Sequence, residues 1–233
     1  MAEVSEEKKT NFDVQNTLGG AEMFFEKNKK MIGYVGGALA VIVVAVIAYK
    51  MWYIPEQNKE AQNEMFVAQD LFIKDSLNMA VNGGTYNGTA YTGLQEIAEN
   101  YGSTPSGQMA EYMVGVSLLH QGKFEEAIEH LEKFSSDDIM LSAIAIGAIG
   151  DAKMELKDTD EAIKYYLKAA DKNTNSFTTP IYLKKAALAY ESKSQYADAL
   201  KLYERIQKEF PKSTEAREGI EKYIQRAKTA GNL

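Results

Sequence analysis

The chain has 233 residues, 45% of them hydrophobic and 25% charged, with no cysteine and a net charge of -7 from 26 Lys+Arg against 33 Asp+Glu. That composition excludes wholesale disorder and collagen-like repetition, and the missing Cys excludes a disulfide framework, a thiolate metal site and a cysteine nucleophile. So acidic a chain is a poor binder of a phosphate backbone, whose affinity comes from Lys and Arg, and nucleic acid is not expected among its partners.

Residues 1–30 mix six acids with five lysines and have little apolar content. They read as a largely disordered cytoplasmic tail, with Phe24 and Phe25 at a membrane interface. Residues 31–49 then form an uncharged run, MIGYVGGALAVIVVAVIAY. At 1.5 Å per residue such a helix reaches about 28 Å, close to the thickness of a hydrocarbon core. Lys50 can extend its charge towards headgroups, Trp52 and Tyr53 fall where aromatic belts occur, and Pro55 marks the expected stop. Residues 31–54 are therefore read as a transmembrane signal-anchor helix. A cleaved signal peptide, with a weak site at Val46-Ile47-Ala48, is the rival, disfavoured by the long run and the long leader. Lys27, Lys29 and Lys30 precede the span, and Glu56, Glu60 and Glu64 surround Lys59 after it. The positive-inside rule then predicts a cytoplasmic N-terminus, with the remainder periplasmic in a bacterium. Gly33, Gly36, Gly37 and Ala40 carry small-xxx-small spacing that would admit a neighbouring helix, although a Gly-rich span shows such spacing by chance as well.

Residues 56–75 return to helical spacing through Ala61, Met65, Ala68, Leu71 and Phe72. Residues 76–108 are broken by Asn82-Gly83-Gly84 and Gly102-Ser103-Thr104-Pro105, with a short helix predicted at about 91–101. Residues 55–108 are read as a juxtamembrane helix and a degenerate leading repeat, whose small crossing residue would be Ala90.

Beyond Gln108 the sequence repeats itself. Ala127, Ala162 and Ala199 are spaced by 35 and 37 residues, and Gly115, Gly150 and Ala187 lie twelve residues before them. Leu131, Tyr166 and Tyr203 follow by four, and Pro211 closes the third unit. A period near 34 with small residues at two fixed places is the helix-turn-helix signature of a tetratricopeptide repeat, because a larger side chain where the two helices cross would push the backbones apart. The second unit departs from the pattern, with Lys157 in place of a turn glycine and Thr159 in place of an aromatic. The predicted fold is all-α: a single N-terminal transmembrane helix, then a helical solenoid of three repeats over 109–212 and a capping helix over 213–233.

No catalytic constellation emerges. His120 and His130 stand without cysteines or an HExxH motif, and Asp158-Thr159-Asp160-Glu161 fails as a calcium loop because Ile163 and Ala169 occupy its glycine and glutamate places. No GxSxG, Walker A or GxGxxG motif is present. An enzyme is not expected, nor a cofactor, nor a metal.

In repeat stacks of this type the first helix of each unit lines a concave groove. The register places Tyr112, Val116, Leu119 and His120 there from the first unit, Ile144, Asp151 and Met154 from the second, and Ile181, Lys184, Leu188 and Glu191 from the third. Their apolar bias suits apolar or amphipathic peptide segments, unless the short stack closes on itself and buries them. Tyr112, Val116 and Ala148 occupy places where one subclass uses Lys and Asn to clamp a C-terminal carboxylate, so that clamp is not expected.

The order of parts, together with FFEKNKKMIGYVGG at residues 24–37, NEMFVAQDLFIKDS at 63–76 and GAIGDAKMEL at 147–156, resembles the YfgM-type ancillary subunit of the bacterial Sec translocon in its Bacteroidota form. The resemblance implies a non-enzymatic inner-membrane protein whose partners are translocon subunits, a membrane-anchored periplasmic peptidyl-prolyl isomerase, emerging client proteins and the bilayer. A tetratricopeptide scaffold of another cell-envelope assembly or secretion machine is the alternative.

Overall fold

The computed structural model describes the backbone of residues 3–233, and the side chains of Phe24 and residues 26–233. The chain divides into two compact units, Met1–Pro55 and Glu56–Leu233.

The first unit holds α1 (Glu3–Ala48) and a π-helical turn at Tyr49–Tyr53. The tail expected to be disordered falls mainly on residues whose side chains lie outside the described set, while its backbone from Glu3 belongs to α1. Among the described residues there is one helix long and apolar enough to cross a membrane, and none of its apolar window is buried. Nothing lies within 4 Å of where a Cβ would stand on Gly33, Gly36 or Gly37. In the π turn the Ile54 N–H reaches the Tyr49 carbonyl, five residues back, and the rings of Tyr49 and Tyr53 stack at 5.1 Å. Pro55 was expected to stop the helix. It instead falls in the first turn of α2 (Ile54–Ile73). A proline deep in an α-helix leaves one carbonyl without its donor, and the wider turn just before Pro55 relaxes that clash.

In the second unit α2 buries Ala61, Met65, Ala68 and Leu71 on one face. After α3 (Leu77–Asn82) comes a feature the sequence reading did not foresee. Strands β1 (Gly84–Tyr86) and β2 (Thr89–Tyr91) form an antiparallel hairpin in which Tyr86 pairs with Thr89. The two-residue loop is Asn87-Gly88, both at positive φ, the favoured chemistry for a tight hairpin. Ala90 is therefore an exposed strand residue and not a helix-crossing residue. Helix α4 (Leu94–Tyr101) buries Leu94, Ile97 and Ala98 in the same core as Met65, Ala68, Leu71, Val114 and Leu118.

Six helices then pair in sequence: α5 (Pro105–His120) with α6 (Phe124–Lys133), α7 (Ile139–Glu155) with α8 (Thr159–Lys172), and α9 (Thr178–Ser192) with α10 (Tyr196–Glu209). Each start has a local cause where a cap is present. The Thr104 hydroxyl accepts from the Gly107 N–H, the Asp138 carboxylate from Met140 and Leu141, and the Asp158 carboxylate from Glu161. Ala127, Ala162 and Ala199 are fully buried at the crossings. Opposite them, a Cβ on Gly115 would meet Leu131 at 2.7 Å and one on Gly150 would meet Tyr166 at 2.6 Å. The small residues are thus required by close approach and not by turn geometry.

Polar contacts repeat with the same period. Tyr165 donates to Glu132 at 2.8 Å, Arg205 to Asp171 at 3.2 Å and Asn173 to the Ile139 carbonyl at 3.3 Å, over separations of 33 or 34 residues. Exposed pairs of this kind contribute at most about 1 kcal/mol each, so they fix register while the buried clusters supply the stability. The stack closes on α11 (Thr214–Arg217), capped by Ser213, and α12 (Ile220–Gly231), which buries Ile220, Ile224 and Ala227. Gly219, at φ 95°, divides a segment expected to be one helix.

The turns inside the three repeats share one conformation. Gly122, Lys157 and Ser194 lie at φ 76°, 64° and 59°. Left-handed backbone is strained for any residue with a Cβ. The double variant Lys157→Gly, Ser194→Gly should therefore gain about 1 kcal/mol after allowing for the entropy glycine loses on folding. A rise in the urea midpoint at unchanged slope checks this; an unchanged or lower midpoint refutes it.

Candidate interaction groove

The first helices of the repeats, α5, α7 and α9, bring most of the sequence-predicted groove residues onto neighbouring positions. Tyr112, Val116 and Leu119 are half-buried and pack against the cluster built from Ile128, Leu131, Ala145 and Ile149. The Tyr112 ring lies 5.4 Å from that of Phe134. His120 does not join them. It is exposed and borders an open depression of about 440 Å³ together with residues 75–79 of the leading segment. Ile144, Met154 and Ile181 are half-buried, and Leu188 is 39% exposed.

Asp151 sits at the centre of a polar cluster. It accepts a hydrogen bond from the Tyr166 hydroxyl at 2.7 Å and from Lys185 Nζ at 2.7 Å on both carboxylate oxygens. Lys185 lies 5.7 Å from the ring centroids of both Tyr166 and Tyr182, which stack on each other at 6.5 Å. Tyr182 comes this close because position 147 is glycine: a Cβ there would fall 1.9 Å from the ring. Burial, and then the Asp151 charge, hold the Tyr166 and Tyr182 hydroxyls far above the usual phenol range. Tyr112 of the first repeat adds a smaller share to the rise at Tyr182. Burial also raises Tyr112 itself.

At the far end Lys184 lies 5.1 Å from the Tyr223 ring centroid, and Glu191 is ion-paired with Arg226 of α12. Sequence reasoning missed Tyr166, Tyr182, Lys185 and the residues of α12 as parts of this surface. The signal available was the i, i+3, i+4 spacing of Tyr182 and Lys185 beside Ile181, Lys184 and Leu188. This surface combines apolar side chains with hydroxyl, carboxylate and ammonium groups engaged with one another. It is suited to holding a peptide and carries no paired nucleophile and base. Glu111 and His130, 2.6 Å apart, are a largely buried pair between α5 and α6. Among the described residues no group of three His, Asp or Glu could hold a metal ion.

Two tetratricopeptide-repeat family models match the chain, over residues 143–171 and 182–213. Among solved structures it is similar to the MamA protein, with 18% identity and a TM-score of 0.48 over 77% of this chain and 94% of that one. It is likewise similar to a kinesin light chain with nearly identical TPR-like repeats from Podospora anserina, with 14% identity and a TM-score of 0.48 over 77% of this chain and 87% of that one. No curated protein sequence matches it. The fold is an all-α tetratricopeptide-repeat solenoid, among the described residues one N-terminal helix is apolar enough to span a bilayer, and the repeats support a protein–protein interaction scaffold. No catalytic family is indicated.

Proposed function

We propose that this protein is a non-enzymatic adaptor of the bacterial inner membrane, a YfgM-type accessory of the Sec translocon. It is anchored by residues 31–54, holds its repeats in the periplasm, and takes partner or emerging client segments on the concave face. The observation that carries this reading is the set of partly exposed apolar side chains on the three first helices, Tyr112, Val116 and Leu119 on α5, Ile144 and Met154 on α7 and Leu188 on α9, in a chain that also has a bilayer-length apolar helix. A soluble scaffold would have no use for that helix, whose apolar window makes no contact that buries it. The basic flank at Lys27, Lys29 and Lys30 supports the periplasmic orientation.

The test is purification of the tagged full chain in mild detergent. Translocon subunits and a membrane-anchored peptidyl-prolyl isomerase should accompany it. Absence of both, with a different stoichiometric envelope partner in their place, would assign the scaffold to another assembly or secretion machine. External protease on spheroplasts should digest the repeats; a protected C-terminus would overturn the topology. The double variant Tyr112→Glu, Leu188→Glu should lose client capture while retaining its helical circular dichroism, and unchanged capture by the folded variant would remove the groove from the mechanism.

A further inference from the structure

At the seam between α9 and α12, among the described residues, two lysines have no carboxylate within ion-pairing distance. Three cations surround one ring: Lys184 Nζ lies 5.1 Å, Lys222 Nζ 5.0 Å and the Arg226 guanidinium carbon 4.8 Å from the Tyr223 centroid. Tyr223 is itself held by Tyr203, 5.4 Å away. Of the three, Arg226 alone has a carboxylate, that of Glu191. Of the acids close in sequence, Glu221 accepts instead from Gln207 of α10 at 3.1 Å, and Glu218, four residues before Lys222, forms no ion pair with it. Among the described residues Lys184 and Lys222 have no acidic partner, in a chain whose net charge is -7. Nearby on the same face Lys185 is paired with Asp151, and Glu191 with Arg226.

Like charges gathered around one ring repel, and an anion arriving from outside relieves them. The ring keeps the ammonium groups at a fixed range without neutralising them. Next to them on the same face of α9, four residues beyond Lys184, is Leu188, 39% exposed. One stretch of the concave surface thus offers two unpaired ammonium groups beside an accessible apolar side chain.

We propose that the Lys184–Lys222–Tyr223 cluster is an acid-reading subsite of the groove, and that it binds the Asp or Glu carboxylates of an acidic, leucine-containing peptide segment whose apolar side chain rests on Leu188. This deepens the peptide-binding reading above and rests on it. The subsite is set by the third repeat and the terminal helix, away from the places at Tyr112, Val116 and Ala148 where a carboxylate clamp would have stood. It gives the terminal helix a role in recognition besides covering the end of the stack.

The test uses the full chain in nanodiscs of neutral phosphatidylcholine and two fluorescent peptides, one alternating glutamate and leucine, the other with every glutamate replaced by glutamine. The native chain should bind the acidic peptide about tenfold more tightly at low salt, with the margin shrinking as salt screens exposed charge. The Lys184→Gln, Lys222→Gln variant should bind both peptides alike, at the affinity the native chain shows for the glutamine peptide. Lys222→Gln alone, at an exposed site, should lose part of the margin and guards against a folding artefact. Equal binding of both peptides by the native chain overturns the subsite but leaves the groove standing. A margin that survives in the double variant also overturns it. Binding of neither peptide overturns both readings. If the two lysines alter only association with phosphatidylglycerol vesicles, the cluster serves lipid and the proposal is wrong.

Discussion

Gly107→Ala should destabilise the repeat unit by about 3 kcal/mol, as overpacking against an immovable neighbour does. Gly107 lies in the first turn of α5, where its N–H is 3.0 Å from the Thr104 hydroxyl that caps the helix. A Cβ there would stand 1.9 Å from the Tyr101 carbonyl oxygen and 2.2 Å from its carbon, so the obstacle is the backbone of α4 itself. Relief requires α4 and α5 to separate, which opens the core holding Leu94, Ile97, Val114 and Leu118. Gly147→Ala is the informative comparison. Its Cβ would meet the Tyr182 ring at the same 1.9 Å, but a ring can swing and a peptide cannot. Alanine also recovers about 1 kcal/mol of helix propensity within α7, so the net loss there should be nearer 1–2 kcal/mol. Moreover, Tyr182→Ala should cost less in the Gly147→Ala background than in the native chain, by about the clash it removes, whereas Tyr101→Ala should cost the same in the Gly107→Ala background as in the native chain, because there the clash is with main chain. Urea titrations of the full chain in detergent measure each single and double variant. Equal midpoints for Gly107→Ala and the native chain would show that α4 and α5 are not packed as described.

The contrast between those two glycines also shows how far the sequence could be read. The repeats announced themselves through Ala127, Ala162 and Ala199, because stacking forces the same small side chain to recur wherever two helices cross. The apolar run at 31–49 was equally plain, since its length and lack of charge are properties of the chain alone. The leading segment was misread because it departs from the period. Ala90 sits at the spacing an extra unit would want, yet Asn87-Gly88 two residues earlier turns the backbone into a hairpin, and local turn chemistry overrides a weak repeat. The register assigns Ile144 and Leu188 to the groove and passes over Tyr182 and Lys185, although their helical spacing beside Ile181 and Lys184 points the same way. What it does not contain is the dependence of Tyr182 on Gly147 of the preceding repeat, which leaves room for its ring. The charges of α12 looked like ordinary solvation of a terminal helix. What sets Lys222 and Arg226 apart is the face of α9 opposite them, a relation between residues about 35 positions apart that no local pattern encodes.

Alkaline unfolding should expose the same tyrosines as a group. Tyr166, Tyr182 and Tyr203 are buried, and burial is the main reason their hydroxyls are held well above the ordinary value of 10.0; Asp151 adds to the rise at the first two and Glu191 to that at the third, where Arg226 opposes it. Tyr165, hydrogen-bonded to Glu132 on the outer helices, is pushed up to about 12 by burial first and then by that bond. Below pH 10 every one of these hydroxyls is protonated in the folded and the unfolded chain alike, so their contribution is fully present. Above pH 10 the unfolded chain releases protons that the folded chain retains, and stability falls by about 1.4 kcal/mol per pH unit for each buried tyrosine until the folded values are reached. Three buried tyrosines therefore remove about 3 kcal/mol between pH 10 and 11, a large part of the stability of an ordinary domain. The repeats should unfold cooperatively above pH 11, with tyrosinate absorbance and loss of helical circular dichroism rising together. Tyr166→Phe with Tyr203→Phe keeps the rings and removes two of the titrating groups, so the loss of stability per pH unit should shrink by about 2.7 kcal/mol relative to the native chain. Identical pH profiles for the native chain and this variant would mean that Asp151 and its tyrosines are open to water and that the floor of the groove is not the packed cluster described.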